Sequence, residues 1–389
     1  MLSIKQAISA LDENILLLPI TELSILEVAD HVLAEDVYSP INMPPFRQSA
    51  MDGYAICMLN NQYAVIGEVK TGDQEGFDLD EGEAIRIFTG AMVPDQANAV
   101  VKQELVTRDG AQIDIEGAIK KGSNIRPLGE QIKKGALALK KGTKLNPAAV
   151  GFLATIGIDK ISVYSKPRIS VLVTGNELVE PGNTLLPGQI YESNSNMLIA
   201  ALEKEGYCDV RKFTIKDNFE ETVDKIKHAI GSSDVVLLTG GISVGDYDFV
   251  GKALETLNVE KIFYKVKQKP GKPLYCGKKG SCMIFALPGN PAAALSCFYV
   301  YVLGTMRQMC GELKEPVFKE QLVLDRDVVN RSGRGLLLKA IKQGNKVEIL
   351  DSQSSAMLNT FALANVLVYI PSDKEFLYEG EIVEAIPIL

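Results

Sequence analysis

With 389 residues, the chain exceeds the roughly 250–300 at which a single hydrophobic core stops growing, so several domains are expected. Apolar residues at 46% and charged residues at 23% describe a packed globular protein rather than a disordered one. The 41 Lys+Arg against 49 Asp+Glu leave a formal charge of −8, which argues against a general nucleic-acid coat and leaves room only for local basic pockets.

The N-terminus mixes Lys5, Asp12 and Glu13 with its apolar residues, so it does not read as a signal peptide, and the expected compartment is the cytoplasm. Ser3 with Gln6 forms a capping-box pattern, and Ile4, Ala7, Ile8 and Leu11 recur at helical spacing. Ser24 with Glu27 repeats that pattern and predicts a second helix. It would carry Ile25, Val28, Ala29, Val32 and Leu33 on one face and stop before Pro40. From about Asn42 to Arg126, short apolar runs split by glycine ("YAVIGEV", "EAIRIFTGAMVP", "NAVVKQELV") predict strands of a small β-rich domain. Ala148–Ile158 reads as a helix returning to the first region. The first domain is then discontinuous and helical, over 1–41 and 127–165, with the β-rich domain at 42–126 inserted into it.

From Lys166 strands and helices alternate, as in a doubly wound α/β domain over 166–313. Its first three strands read as buried on both faces, like those of a parallel sheet. After Glu315-Pro316 the pattern returns to strands, predicting a small C-terminal β domain over 314–389. The stretch from Ser281 to Met306 carries no charge and is long enough to span a bilayer. Pro288-Gly289-Asn290-Pro291 divides it, so a buried strand, a turn and a helix beginning at Pro291 are expected instead.

The six cysteines form no CxxC, and only two histidines are present, far apart, which excludes an HExxH zinc site. Buried free thiols are expected. No Walker A loop or GxGxxG fingerprint occurs either. What remains is a set of glycine loops at predicted strand ends: Thr174–Glu177, Thr239–Asp248 with Gly240, Gly241 and Ser243, and Leu287–Pro291 with Gly289 and Asn290. In an open α/β sheet such loops face the ligand, and glycine lets the backbone approach an anion. "FYKVKQKPGKP" places Lys265, Lys267 and Lys269 at alternate positions, with Lys272 beyond, either as a solvated face or as an oxyanion receptor. Glu177, Asp217, Asp246 and Asp248 lie near the same loops, as magnesium-binding carboxylates, helix caps or surface charges.

Several separated motifs then occur in a recognisable order. They are "SAMDGYA" (Ser49–Ala55), "TGAMVP" (Thr89–Pro94), "NIRPLGE" (Asn124–Glu130), "TGNEL" (Thr174–Leu178), "TGGISVGDYD", "KPGKP" (Lys269–Pro273) and "LPGNPAAAL" (Leu287–Leu295). Together they resemble the MoeA family, the molybdopterin molybdenumtransferases, whose eukaryotic relative is the gephyrin E domain. The resemblance implies an enzyme that inserts molybdenum from molybdate into adenylylated molybdopterin, cleaving the pyrophosphate bond and releasing AMP. It further implies a homodimer and a magnesium-assisted site between the α/β domain of one subunit and the β-rich domain of the other. Its partners would be a molybdopterin adenylyltransferase and molybdoenzyme-delivery proteins, with no nucleic acid and no membrane.

Carried over residue by residue, the resemblance nominates Asp52, Thr89, Arg126 and Glu177 as catalytic. Asp217 and Asp248, with Glu177, become metal ligands, and Lys265, Lys269, Lys272, Arg334 and Ser355 substrate contacts. Arg47-Gln48 stands where Asp-Asn is frequent in the family, and Asn176 where Asp is common. Two rivals stay open: an adenylyltransferase of the same α/β fold, and a scaffold of the kind the gephyrin relative forms. The scaffold would require appended domains, which this chain is not expected to carry.

Overall fold

The computed structural model describes residues 1–57, 61–74, 78–242 and 249–388. They form two compact units: Glu22–Ala29 with Leu33–Val163, and Met1–Thr21 with Asp30–Val32 and Tyr164–Leu389.

In the first of these units a six-stranded sheet runs in the order Ala99–Lys102, Gly53–Ile56, Glu83–Ile87, Gln62–Val69, Gln112–Ile115, Val106–Asp109. Both faces are covered, by Ala55, Ile85, Ile87 and Val100 on one side and Tyr54, Ile56, Tyr63 and Ile113 on the other. Gly53 is obligatory, because a Cβ there would stand 1.8 Å from the Val101 carbonyl oxygen. Beside the sheet, the helix Pro147–Thr155 starts at an Asn146 cap and buries Leu153 against Val28, Leu33, Val37 and Val163.

The helix expected from Ser24 does not form. Ile20–Ser24 is a strand, followed by a single turn in which the Glu27 N–H reaches the Ser24 carbonyl. Tertiary pairing takes the amides a helix would need: Ile25 N–H donates to Asp159, Leu33 N–H to Thr143 and Ala34 N–H to Ser162. Asp30, at φ 61°, would end any helix there. The spacing of Val28 and Leu33 reports burial, not helix, and the region expected to be helical is mostly strand and turn.

The other unit begins with the helix Ile4–Asp12. Its capping box is formed, and it buries Ile4, Ala7 and Leu11 in the core that also holds Val266 and Phe298. A six-stranded sheet follows, in the order Val210–Ile215, Ile169–Thr174, Val235–Thr239, Cys282–Leu287, Tyr275–Lys279, Glu260–Tyr264. The first four strands are parallel, with Leu172 opposite Phe213 and Leu238, and Leu238 opposite Ala286. Apolar cores cover both faces: Val171, Leu198, Leu237 and Phe285 on one, Leu172, Ile226, Val236 and Ile284 on the other. This is the doubly wound arrangement. Of the three strands expected to be buried on both faces, Ile169–Thr174 and Val235–Thr239 are buried nearly throughout, as is Cys282–Leu287, but Val210–Ile215 is half exposed because it is the edge strand.

Pro291 opens a helix, as expected, and the chain continues through a π-helical turn at Phe298–Val302 into Leu303–Met309. Among the described residues no helix is long and apolar enough to cross a membrane. Cys276, Cys282, Cys297 and Cys310 are buried free thiols, whereas Cys57 is half-buried and Cys208 exposed.

The C-terminal strands close on themselves. Gly335–Gln343, Lys346–Ile349, Glu320–Leu324, Ile382–Pro387 and Val366–Ile370 pair in that order, and the last returns to the first. The all-β expectation needs one amendment, the short helix Leu358–Leu363.

The alternating lysine strand is not continuous. Glu260–Tyr264 ends before Lys265, which adopts φ 65°; Val266 makes an isolated bridge to Leu2, and the next strand is Gln268–Lys269. There the chain leaves the α/β sheet and runs parallel to Gly335–Leu336 of the barrel. The left-handed residue breaks the two-residue period, so the three lysines share no strand face.

Candidate active site

The carboxyl ends of the parallel strands open into a cleft of about 990 Å³. Thr174, Thr239 with Gly240, and Pro288-Gly289-Asn290 form its sheet side. Lys269–Pro273, Arg334 and Gln353–Ser355 form its barrel side. Backbone approaches backbone here. Gly240 has φ +85°, and a Cβ would lie 2.8 Å from the Thr174 carbonyl oxygen; Gly289 packs against the Gly240 Cα. Gly241, at φ +59°, backs the loop against Val250 and Thr174 and does not line the cleft.

Hydrogen bonds tie the two sides together. The Asn290 side-chain amide donates to the Ser355 hydroxyl at 2.8 Å, and the Ala293 N–H to the Ser355 carbonyl at 3.2 Å. The Asn194 amide donates to the Gly289 carbonyl at 2.8 Å. Under the lysine turn lies fully buried Gln268. Its amide donates to the Gly271 carbonyl at 3.0 Å, and its carbonyl accepts from the Tyr301 hydroxyl on the π-helical turn. A Cβ on Gly271 would meet Cys297 Sγ at 2.6 Å, so the turn is seated on this buried pair.

The electrostatics favour an anion. Lys269, Lys272 and Arg334 line the cleft, and none has an ion-pair partner among the described residues. Among the described residues one carboxylate lines the cleft with them, that of Glu177, which folds back over Gly175. Asp217 lies off the lining and exchanges bonds with Asn176: the Asn176 N–H donates to Asp217 at 3.2 Å, and the Asp217 N–H to the Asn176 side chain at 3.1 Å. Lys265 also stays outside, with its ammonium over the Tyr264 ring at 4.7 Å. Ser243, Asp246 and Asp248 lie outside the described residues.

The remaining nominated residues gather in the other unit, at one end of the β-rich sheet. Asp52 accepts from the Thr89 N–H at 2.7 Å and the Thr89 hydroxyl at 2.8 Å. These bonds, backed by Arg86, hold its carboxyl below the ordinary aspartate value. Arg126 pairs in strand register with Gln48 and donates to its side-chain oxygen at 3.4 Å. Gln48, one of the two departures from the family pattern, in turn donates to the Gly90 carbonyl at 3.2 Å.

Sequence reasoning missed Gln268, Tyr301, Asn194 and Gln353, none of which stands in a catalytic motif. The polar run Asp351–Ser355 between two strands was the one available signal for the barrel's contribution.

Among the described residues no group of three or more His, Cys, Asp or Glu side chains could hold a metal by itself. Glu177, with Asp217 behind it, supplies at most two carboxylates. That donor set suits a magnesium ion completed by phosphate oxygens and water, not a closed protein cage.

The chain matches three family descriptions in succession: MoeA N-terminal region (domain I and II) over residues 2–157, probable molybdopterin binding domain over 170–308, and MoeA C-terminal region (domain IV) over 321–388. It is 34% identical to the molybdopterin molybdenumtransferase of Haemophilus influenzae, covering 100% of this chain and 98% of that protein. Identity to the molybdopterin molybdenumtransferase of Staphylococcus epidermidis is 31%, over 99% and 95% of the two chains. The crystal structure of the molybdopterin biosynthesis MoeA protein from Pyrococcus horikosii superposes with a TM-score of 0.83 at 31% identity, covering 100% of this chain and 99% of that one. The chain belongs to the MoeA family of molybdopterin molybdenumtransferases.

Proposed function

We propose that this protein is the enzyme of molybdenum cofactor biosynthesis that transfers molybdenum from molybdate to adenylylated molybdopterin, cleaving the phosphoanhydride and releasing AMP. The observation that carries the reading is the cleft itself. Three cations without counter-ions among the described residues, Lys269, Lys272 and Arg334, stand opposite glycine loops that admit phosphate or oxyanion close to the backbone. Lys269, Lys272, Arg334 and the Ser355 hydroxyl would hold the oxyanion, with the Gly240 and Gly289 loops against the phosphates. Phosphoanhydride cleavage asks for charge neutralisation and alignment rather than covalent chemistry, and this cleft is equipped for both. A magnesium ion held by Glu177 and substrate oxygens would neutralise phosphate charge. Glu177 itself would orient the attacking oxygen. Asp52, held ionised by Thr89, would reach the cleft with Arg126 only from a second copy of the chain and there position the incoming oxyanion.

The test is AMP release from adenylylated molybdopterin, with molybdate present and absent. Release that depends on molybdate supports the reading. Consumption of ATP with molybdopterin alone would replace it with adenylylation.

A further inference from the structure

Lys339 lies on the barrel strand Gly335–Gln343 and is only 3% exposed. Its neighbours Leu338 and Ala340 point into the barrel core, so by alternation Lys339 points outward, beneath the loop that follows Ile349. No carboxylate pairs with it among the described residues. Its ammonium donates to three backbone carbonyls: Ser352 at 3.0 Å, Ser354 at 3.3 Å and Met357 at 3.2 Å. The same loop is fastened again by Gln353, whose side chain accepts from the Lys339 N–H at 2.9 Å and donates to the Lys339 carbonyl at 2.8 Å. Ser352 adopts φ 59°, which a chain accepts when its surroundings hold it.

A buried ammonium without a counter-ion is costly, and a barrel could cover its outer face with leucine instead. What the charge does here is orient peptides. With the Ser354 carbonyl drawn to the ammonium, the trans peptide turns the Ser355 N–H to the opposite side of the loop. That N–H has no acceptor among the described residues, and Ser355 lines the cleft. We propose that Lys339 is a positioning residue of the oxyanion site: it gathers the Ser352, Ser354 and Met357 carbonyls so that the N–H and hydroxyl of Ser355 face the bound oxyanion. It touches no substrate and acts through the loop. The identity of that oxyanion as molybdate rests on the function proposed above; the loop assignment does not. Burial pushes the ammonium below the ordinary lysine value, in keeping with an environment that lacks a carboxylate.

The test compares wild type with Lys339→Met, which keeps length without charge, and Lys339→Gln, which is neutral but still donates. Amide hydrogen exchange at residues 352–357 and molybdate affinity by calorimetry are the readouts. In Lys339→Met, exchange across the loop rises at least tenfold while the barrel strands keep their protection, and affinity falls about tenfold; Lys339→Gln lies between. Ser355→Ala weakens molybdate less in the Lys339→Met background than in wild type, because the hydroxyl is already displaced. That coupling would not arise from a merely destabilised barrel. If Lys339→Met does not fold, Lys339→Gln carries the same comparison. Unchanged loop exchange, or a full Ser355→Ala effect in the variant background, overturns the proposal. A wild-type protein that binds no molybdate would instead sink the oxyanion reading, and the exchange data would still decide the role of Lys339.

Discussion

The Tyr301 hydroxyl donates to the side-chain carbonyl of Gln268 where both residues are fully buried, and the other end of Gln268 holds the Gly271 carbonyl of the lysine turn. The helix that begins at the LPGNP loop thus supports Lys269 and Lys272 from behind, through its one π-helical turn. Tyr301→Phe removes the donor and leaves a buried carbonyl unpaired, so it should cost about 1–3 kcal/mol of stability. It should also weaken molybdate binding, since the turn loses its seat. Urea unfolding with calorimetry checks both; unchanged binding would detach this pair from the site.

Replacing Lys269, Lys272 or Arg334 singly by Met should each weaken molybdate about tenfold or more, as expected for a charge-assisted contact worth roughly 1.5–3 kcal/mol. Lys267→Met is the control, because Lys267 shares the segment but not the cleft lining. Lys265→Met belongs with the control, contrary to the expectation from sequence. Equal losses at all five positions would mean a diffuse basic field rather than a site.

The Thr89 bonds hold the Asp52 carboxyl below its unfolded value. Its contribution to stability is therefore present above the unfolded pKa and disappears as pH falls through the lower folded value. Asp52→Asn should lower the melting temperature near neutrality; the difference from wild type should begin to shrink as pH falls below about 4 and vanish only below the lower folded value. The same variant, folded at neutral pH, should lose most AMP release. Full turnover would remove Asp52 from the chemistry.

Subunit sharing has a direct functional signature. If the working form is a homodimer whose sites draw residues from both copies, mixing Asp52→Asn with Lys269→Met, at a molybdate concentration where each alone releases little AMP, should restore part of the AMP release. Self-contained subunits would stay inactive when mixed, whatever their oligomeric state.

Much of this protein was legible before any coordinates. The capping box at Ser3, the alternation from Lys166 onward, Pro291 as a helix start and the glycine loops at strand ends are local signals. Each depends on the chemistry of a few adjacent residues, and the structure repeats them. Family motifs added Asp52, Thr89 and Arg126, which no spacing argument reaches. The helix expected from Ser24 failed for a reason no window contains: the amides of Ile25, Leu33 and Ala34 find carbonyls more than a hundred residues away.

Sequence alone determined the parts: a parallel α/β core, its anion-ready loops and a closing set of strands. Tertiary structure alone decided which lysines line the cleft. A left-handed Lys265 and the transfer of Gln268–Lys269 to the barrel separated the cleft lysines from their neighbours, because strand partnership is a property of distant segments. It also placed the Lys339 ammonium, with no carboxylate partner among the described residues, under the serine loop. A lysine in an apolar strand reads as an edge or a solvated face until the loop that buries it is seen.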